Sequence, residues 1–338
     1  MGDPPGVDTA ALRAHLDRER PGMVRGPLCA SLIPGGRSNL TYVITDGHVD
    51  WVLRRPPLGH VLATAHDMGR EFTVMTALAG SPVPVPRTEL LCRDDTVLGA
   101  PFYVMERVPG VVLRSPAEIA ARLTPEQARD LSFLLVDVLA RLHEVDPVTV
   151  GLGDFGRPDG YLERQVRRWA GQLDRSRSRP LPGIDELRDR LARSVPVSRR
   201  ASIVHGDYRL DNVIVAGDGG IAAVLDWEMS TLGDPLADLG LLVVYWGTLM
   251  AMAGATPAAG FATADEVVAH YGARTGADLS AVDWYVAFGF YKLAVVAEGI
   301  HYRHTQGKTV GEGFERFATM VGPLVEQGLG ALSDRSEA

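Results

Sequence analysis

Residues 202–228 read SIVHGDYRLDNVIVAGDGGIAAVLDWE. The apolar runs VIVA (213–216) and IAAVL (221–225) look like short strands, with Asp207, Asp211, Asn212 and Asp226 gathered around their ends. A buried charge without a partner either neutralises itself or destabilises the fold. A metal ion or a polyphosphate at this place would change that balance. Caps and turns, which Asp and Asn also favour, are the plain alternative.

Around this stretch the chain has two characters. It opens with a short amphipathic helix, TAALRAHLDRE (9–19). Strand-like LCASLI (28–33), LTYVIT (40–45) and VDWVLRRP (49–56) follow, joined by the turn-rich PGGRSN (34–39) and DGH (46–48). A helix is expected over 63–80, with Phe72, Met75 and Leu78 on one face, and further strands over 87–95 and 101–108. From Leu123 onward helices dominate. The first starts at Thr124 as N-cap, with Pro125 in the first turn and Gln127 closing a capping box. Others are expected over 160–175, 183–195, 235–247, 263–275, 281–304 and 311–328. The expected architecture is α+β and bilobal: a β-rich lobe over 1–107 and a mostly helical lobe over 108–338, crossing over at MERVPG (105–110). Ligands favour the cleft that two lobes form.

Composition narrows the function classes. The 338 residues are 46% hydrophobic and 22% charged, ordinary for a soluble protein of one large domain or two lobes. A net charge of −8 argues against nucleic acid as a partner. Cys29 and Cys92 provide neither a disulfide framework nor zinc-ligand spacing, which fits a reducing, cytoplasmic setting. The first residues lack the apolar core of a signal peptide. The longest apolar run, 236–255, is interrupted by Asp238 and glycines, so it reads as a buried helix and not a membrane span.

The spacing in the opening stretch carries more. His205-Gly206-Asp207 is followed five residues on by Asn212, and Asp226 lies fourteen residues further, after a strand. This order resembles the aminoglycoside phosphotransferase and choline kinase-like family, whose fold is that of the protein kinases. A protein kinase would read His-Arg-Asp and Asp-Phe-Gly instead. The resemblance implies that Asp207 takes the proton of an acceptor hydroxyl, and that Asn212 and Asp226 hold Mg²⁺ against the phosphates of ATP, or of GTP. It also implies a γ-phosphate role for Arg209, with an exposed loop arginine as the equal alternative, and a structural role for Asp238 beneath the catalytic loop; Asp211 reads as a brace of the loop.

The resemblance extends into the first lobe. IPGGRSNLTYVI (33–44) stands where the family covers the nucleotide phosphates, and Gly35, Gly36, Ser38 and Asn39 are the groups that would face them. PFYVMERVPG (101–110) resembles the hinge, where Glu106 and Val108 would bond adenine. One departure stands out. The family pairs a third-strand lysine with a glutamate on the next helix, yet the only lysines here are Lys292 and Lys308. Arg54 takes the lysine position, with Glu71 as its expected partner. The wider guanidinium raises a second possibility, a nucleotide-binding pseudokinase scaffold without turnover.

For the acceptor, a small molecule with a free hydroxyl, residues 161–200 hold eleven arginines against five acidic residues in an otherwise acidic chain. Leu162, Val166, Trp169 and Leu173 form an apolar stripe, and Arg164, Arg167, Arg168 and Arg175 lie elsewhere on the same helix. A solvated basic face and a site for an anionic acceptor are both open. VLRRPP, YLERQVRRW, HGDYRLDN and LDWEMSTLGDPLADLG resemble the branch of the family linked to acyl-CoA dehydrogenases. That branch implies a hydroxyacyl-CoA-type acceptor and makes an aminoglycoside-type antibiotic kinase the alternative. Oligomeric state is not written in these motifs.

Overall fold

The computed structural model of the chain describes residues 2–33, 39–58, 67–250, 256–308 and 313–333. Helix α1 (Thr9–Glu19) is capped by Asp8, which accepts from the Ala10 and Ala11 N–H groups. Strands β1 (Cys29–Leu32), β2 (Leu40–Thr45) and β3 (Asp50–Arg55) form a meander. Helix α2 (Met68–Leu78), strand β4 (Thr88–Cys92), the single turn α3 (Asp95–Leu98) and strand β5 (Phe102–Glu106) complete this part. β5 pairs with both β3 and β4, so the sheet runs β1-β2-β3-β5-β4 and is antiparallel throughout.

The two faces of this sheet differ because side chains alternate along each strand. Trp51, Leu53, Phe102 and Val104 join Leu12 and Leu16 of α1 in one apolar cluster. Arg54 and Tyr103 are direct cross-strand partners on the opposite face, which α2 covers. Two sequence expectations shift here. β4 stops at Cys92, because Asp94 accepts from Thr96 N–H and opens α3. In α2 the inward stripe is Met68, Glu71, Val74, Met75 and Leu78, leaving Phe72 half-buried at its edge. Residues 63–66 of that expected helix lie outside the described residues.

The remaining elements are mostly helical. α4 (Pro116–Arg122) and α5 (Pro125–Glu144) come first, and α5 carries the expected capping box of Thr124 and Gln127. α6 (Tyr161–Ser176), α7 (Ile184–Arg193), β6 (Ser202–Val204), β7 (Val213–Val215) and β8 (Ile221–Val224) follow. β9 (Thr231–Gly233) pairs with β6, and β7 pairs with β8. α8 (Leu236–Tyr245) runs into a π-helical turn at Trp246–Met250, ahead of α9 (Ala264–Thr275), α10 (Val282–Thr305) and α11 (Phe317–Ser333). Among the described residues no helix is long and apolar enough to cross a membrane.

By contacts the chain groups into two compact units, 1–112 with 211–230, and 113–210 with 231–338. The division expected at 107/108 differs in two respects: the first unit runs on to Val112, and the later segment 211–230 returns to it. The cause is backbone pairing. Val111 and Val215 exchange two hydrogen bonds, of 2.9 and 2.8 Å, and Val224 N–H donates to Pro84 O at 2.8 Å.

Candidate active site

In the first unit, the cross-strand partners Arg54 and Tyr103 both reach Glu71 on α2. Arg54 lies 3.2 Å from Glu71 Oε2, and the Tyr103 hydroxyl donates to the same oxygen at 2.8 Å. The other Arg54 nitrogen donates to Asp226 Oδ1 at 3.0 Å. So the expected Arg54–Glu71 pair forms, and the arginine fork adds a second carboxylate that a lysine point charge could not hold in the same way. Burial works against the Arg54 charge, but Tyr103, Glu71 and Asp226 outweigh it and its pKa is raised. Burial pushes the Glu71 carboxyl up, with Arg54 opposing and the like charge of Asp226 adding to the rise. The two directions coexist because one guanidinium serves two carboxylates.

Asn39 is 2% exposed, and its side-chain amide donates to Glu71 Oε1 and to Glu228 Oε2, both at 3.2 Å. That amide is thus turned onto carboxylates, whereas the sequence suggested a phosphate-facing group. Gly35, Gly36 and Ser38 lie outside the described residues. Glu106 ends β5, with its N–H donating to Arg87 O at 2.9 Å, and Val108 is half-buried two residues on.

The β7–β8 hairpin explains how Asn212 and Asp226 come together. Val213 pairs with Val224, so the residue before β7 and the residues after β8 share one end of the hairpin. Leu225 N–H donates to Asn212 O at 2.8 Å. The next residue, Asp226, has φ 67°, a left-handed conformation uncommon for a residue other than glycine. Such strain concentrates at functional sites. A 3₁₀ turn, Trp227–Met229, then presents Glu228, so that one oxygen each of Glu71, Asp226 and Glu228 lies within 4.8 Å of the others. These are hard oxygen donors, and the Asp226 side chain keeps 26% of its surface exposed, so the set fits a magnesium ion.

In the second unit, Asp207 follows β6 on a loop turned by Gly206 at φ 83°. Asp238, in the first turn of α8, holds that loop. It accepts from His205 N–H at 2.6 Å and Gly206 N–H at 2.8 Å, with His143 Nε2 at 3.3 Å. Burial opposes the Asp238 charge, yet His143, His205 and the amide contact outweigh it and hold the carboxyl below its ordinary value. From α10, Lys292 Nζ donates to Gly206 O at 2.6 Å and lies 5.4 Å from the centre of the Trp169 ring. Burial lowers the Lys292 pKa, and Asp207 and Asp238 oppose the fall. The Asp207 carboxylate accepts from the Tyr245 hydroxyl through Oδ1, while Oδ2 lies 3.6 Å from Arg209. The Arg209 guanidinium sits over the Tyr245 ring, 5.0 Å from its centre.

The arginine-rich segment is largely engaged internally. Arg177 and Arg188 pair with Asp185, Arg179 with the buried Glu298, and Arg199 with Asp278. Arg164 donates to the backbone carbonyls of Asp159 and Arg157. Arg167 and Arg168 are exposed, and Arg168 lies over the Trp169 ring at 5.8 Å.

Sequence reasoning passed over Glu228, Tyr245 and Lys292 as site residues. The signals were faint. Glu228 stands two residues after Asp226. Tyr245 stands seven after Asp238, hence on the same face of α8. Lys292 is a lone cation in the apolar run of α10.

A family model described as Phosphotransferase enzyme family, APH, matches residues 30–278. Acyl-CoA dehydrogenase family member 11 of Rattus norvegicus is 35% identical over 342 residues, which is 95% of this chain and 43% of the relative. The chain thus spans less than half the length of the curated relatives it matches. Among solved structures, a Ralstonia eutropha protein described with the aminoglycoside phosphotransferases is 33% identical at a TM-score of 0.84, covering 97% of this chain and 98% of that one. Spectinomycin phosphotransferase, solved with ADP and spectinomycin, shares the fold at a TM-score of 0.61 and 13% identity, over 97% of this chain and 99% of its own. The expected α+β, protein-kinase-like fold is therefore the one found. A family match over most of the chain, joined to a structural match over nearly all of it, leaves one assignment: the chain belongs to the phosphotransferase enzyme family of the aminoglycoside phosphotransferases, and resembles within it the segment carried by acyl-CoA dehydrogenase family members 10 and 11.

Proposed function

We propose that the chain is a small-molecule kinase that moves the γ-phosphoryl group of ATP, or of GTP, onto a substrate hydroxyl. One observation carries the reading: the β7–β8 hairpin sets Asn212 and Asp226 at one end, beside Glu228, directly after a loop that presents Asp207. Phosphoryl transfer asks mostly for positioning and charge neutralisation. Asp226 and Asn212 would hold Mg²⁺, with Glu228 beside Asp226 as a further oxygen donor and Glu71 kept by Arg54; when bound, the ion neutralises phosphate charge. Asp207 accepts the proton of the acceptor hydroxyl as that oxygen bonds to phosphorus and the bond to the nucleotide diphosphate breaks. Arg209 counters charge on the transferring group, and Arg54 with Glu71 orders the nucleotide phosphates together with the 34–39 segment. Glu106 and Val108 receive adenine through their backbone groups.

The acceptor in this reading carries negative charge, as a hydroxyacyl-CoA does. Support comes from the exposed Arg167 and Arg168 on α6 and from relatives that are named acyl-CoA dehydrogenases. The test is MgATP consumption across hydroxyacyl-CoAs, choline, small hydroxy metabolites and aminoglycosides. Acceptor-dependent turnover is expected, greatest with an anionic hydroxyl compound, and Arg167→Gln with Arg168→Gln should raise the acceptor KM while leaving that of ATP nearly unchanged. Best turnover with a kanamycin-like polycation would overturn the acceptor and leave the kinase. A second reading, a nucleotide-binding scaffold without turnover, is favoured by the Arg54 guanidinium bonded to Asp226. It predicts nucleotide binding with no consumption in any arm of the screen.

A further inference from the structure

We propose that Tyr245 is the positioning residue for Asp207: its hydroxyl sets the orientation of the carboxylate while its ring holds Arg209 alongside. The inference rests on the reading of Asp207 as the base.

Two kinds of contact bear on Asp207, besides its own N–H donating to His205 Nδ1 at 3.2 Å. Asp238 and Lys292 act on the peptides of residues 205 and 206, through the His205 and Gly206 N–H groups and the Gly206 carbonyl. They fix where the backbone runs. They leave the χ1 and χ2 torsions of Asp207 to whatever touches its carboxylate. Tyr245 does so at Oδ1, from a side chain only 3% exposed. Its own ring is covered by the Arg209 guanidinium, which also stands 3.6 Å from Oδ2. One aromatic side chain therefore sets the carboxylate and places the neighbouring cation.

The placement follows from one helix. At 100° per residue, Asp238 and Tyr245 project from the same face of α8, about two turns apart. The first pins the catalytic loop's backbone and the second its side chain. α8 is itself held close to α10: a Cβ at Gly240 would lie 2.4 Å from the Tyr285 carbonyl carbon, and one at Gly289 would lie 3.3 Å from Gly240 O. The α-helical register ends at Tyr245, where the π-helical turn Trp246–Met250 begins. Such turns are frequent at functional sites. A base held in one orientation meets its hydroxyl without a search, and misplacement by about 1 Å can cost about a hundredfold in rate.

The experiment uses the full chain with Tyr245→Phe, Asp207→Asn and the double variant. Phenylalanine keeps the ring under Arg209 and removes only the hydroxyl. Turnover is followed with MgATP and 3-hydroxybutyryl-CoA, and with MgATP and water alone. We expect Tyr245→Phe to lower kcat roughly 10- to 100-fold with either KM within about threefold, and to add nothing once Asp207 is Asn. A merely structural role would lower both backgrounds alike. Thermal unfolding of the wild type, Tyr245→Phe, Asp207→Ala and their double variant reads the contact without turnover, because alanine removes the acceptor that asparagine keeps: the loss of Tm in the double variant should be smaller than the sum of the single losses. Additive Tm losses overturn the proposal whatever the activity. Wild-type kcat in Tyr245→Phe, in an enzyme that Asp207→Asn disables, overturns it and leaves Asp207 as the base. Unchanged turnover in Asp207→Asn removes the reading beneath the inference and the inference with it; a wild type inactive with both acceptors counts against the hydroxyacyl-CoA acceptor alone, and the Tm comparison then decides the inference.

Discussion

Arg54 holds two carboxylates with one planar fork, and one of them, Glu71, is fully buried. Removing the cation leaves that carboxylate, among the described residues, with Tyr103 and Asn39 as its donors. Arg54→Gln should therefore cost about 3 kcal/mol, the usual penalty for breaking a buried pair, read by urea unfolding. Arg54→Lys restores a point charge that cannot serve Glu71 and Asp226 together. It should release Asp226 and tighten Mn²⁺ or Mg²⁺ binding in titration calorimetry, with unchanged affinity counting against the competition. Asp238 gives a pH-dependent case. Its carboxyl titrates below the ordinary value of about 3.9, so its stabilising contribution is complete above that value and is lost as pH falls through the lower, folded-state value. Asp238→Asn should cost about 3 kcal/mol near neutrality, because two backbone donors and His143 lose an anionic partner. The gap between variant and wild type should narrow below about pH 4, and a gap that widened there would reverse the sign.

Two elements do most of the assembling. The β7–β8 hairpin closes the sequence gap from Asn212 to Asp226 through its antiparallel register alone. Helix α8 carries both Asp238 and Tyr245, and its close approach to α10 depends on missing side chains. Gly240→Ala would press a methyl against the Tyr285 backbone, which cannot move as a side-chain tip can. A loss of at least about 1–3 kcal/mol is expected, together with a fall in kcat if Asp207 is the base, since α8 would shift beneath the loop that carries it. Gly330 on α11 is the control, because a Cβ there meets nothing within 4 Å. Gly330→Ala should stabilise by about 0.5–1 kcal/mol by denaturant titration, through helix propensity and a less flexible unfolded chain.

The chain does not divide at a single cut. Residues 211–230 belong with 1–112, through the Val111–Val215 bridge and the bond from Val224 to Pro84 O. A fragment of residues 1–112 lacks those partners and also loses Asp226, the second anion on Arg54. It should fail to fold cooperatively, whereas the same fragment joined to 211–230 by a short flexible linker should show a sharp thermal transition. Equal behaviour of the two by circular dichroism would mean that the returning hairpin contributes little. For the full chain, MgATP at a hundred times its Kd should stabilise by about 2.7 kcal/mol, and Asp226→Ala should remove the magnesium-dependent part.

The order His-Gly-Asp, Asn, Asp was legible in the chain, as were the strand-rich beginning, the helical remainder and the capping box of Thr124 and Gln127. Each of these is a local pattern: alternation, helical period, cap chemistry or fixed spacing. The pairing of Arg54 with Glu71 was legible too, because the β3 register and the α2 period each leave one face for it. Other features were not, because they depend on residues far apart in sequence. Asn39 turns to carboxylates only where Glu71 and Glu228 flank it, 32 and 189 residues away. Most arginines of 161–200 read as a free basic surface until partners such as Glu298 and Asp278 fold against them. Tyr245 meets Asp207 across 38 residues. Local sequence sets backbone conformation through sterics and hydrogen bonding within a few residues, whereas the partner of a charge or a phenol is chosen by packing, and packing exists only once the chain is folded.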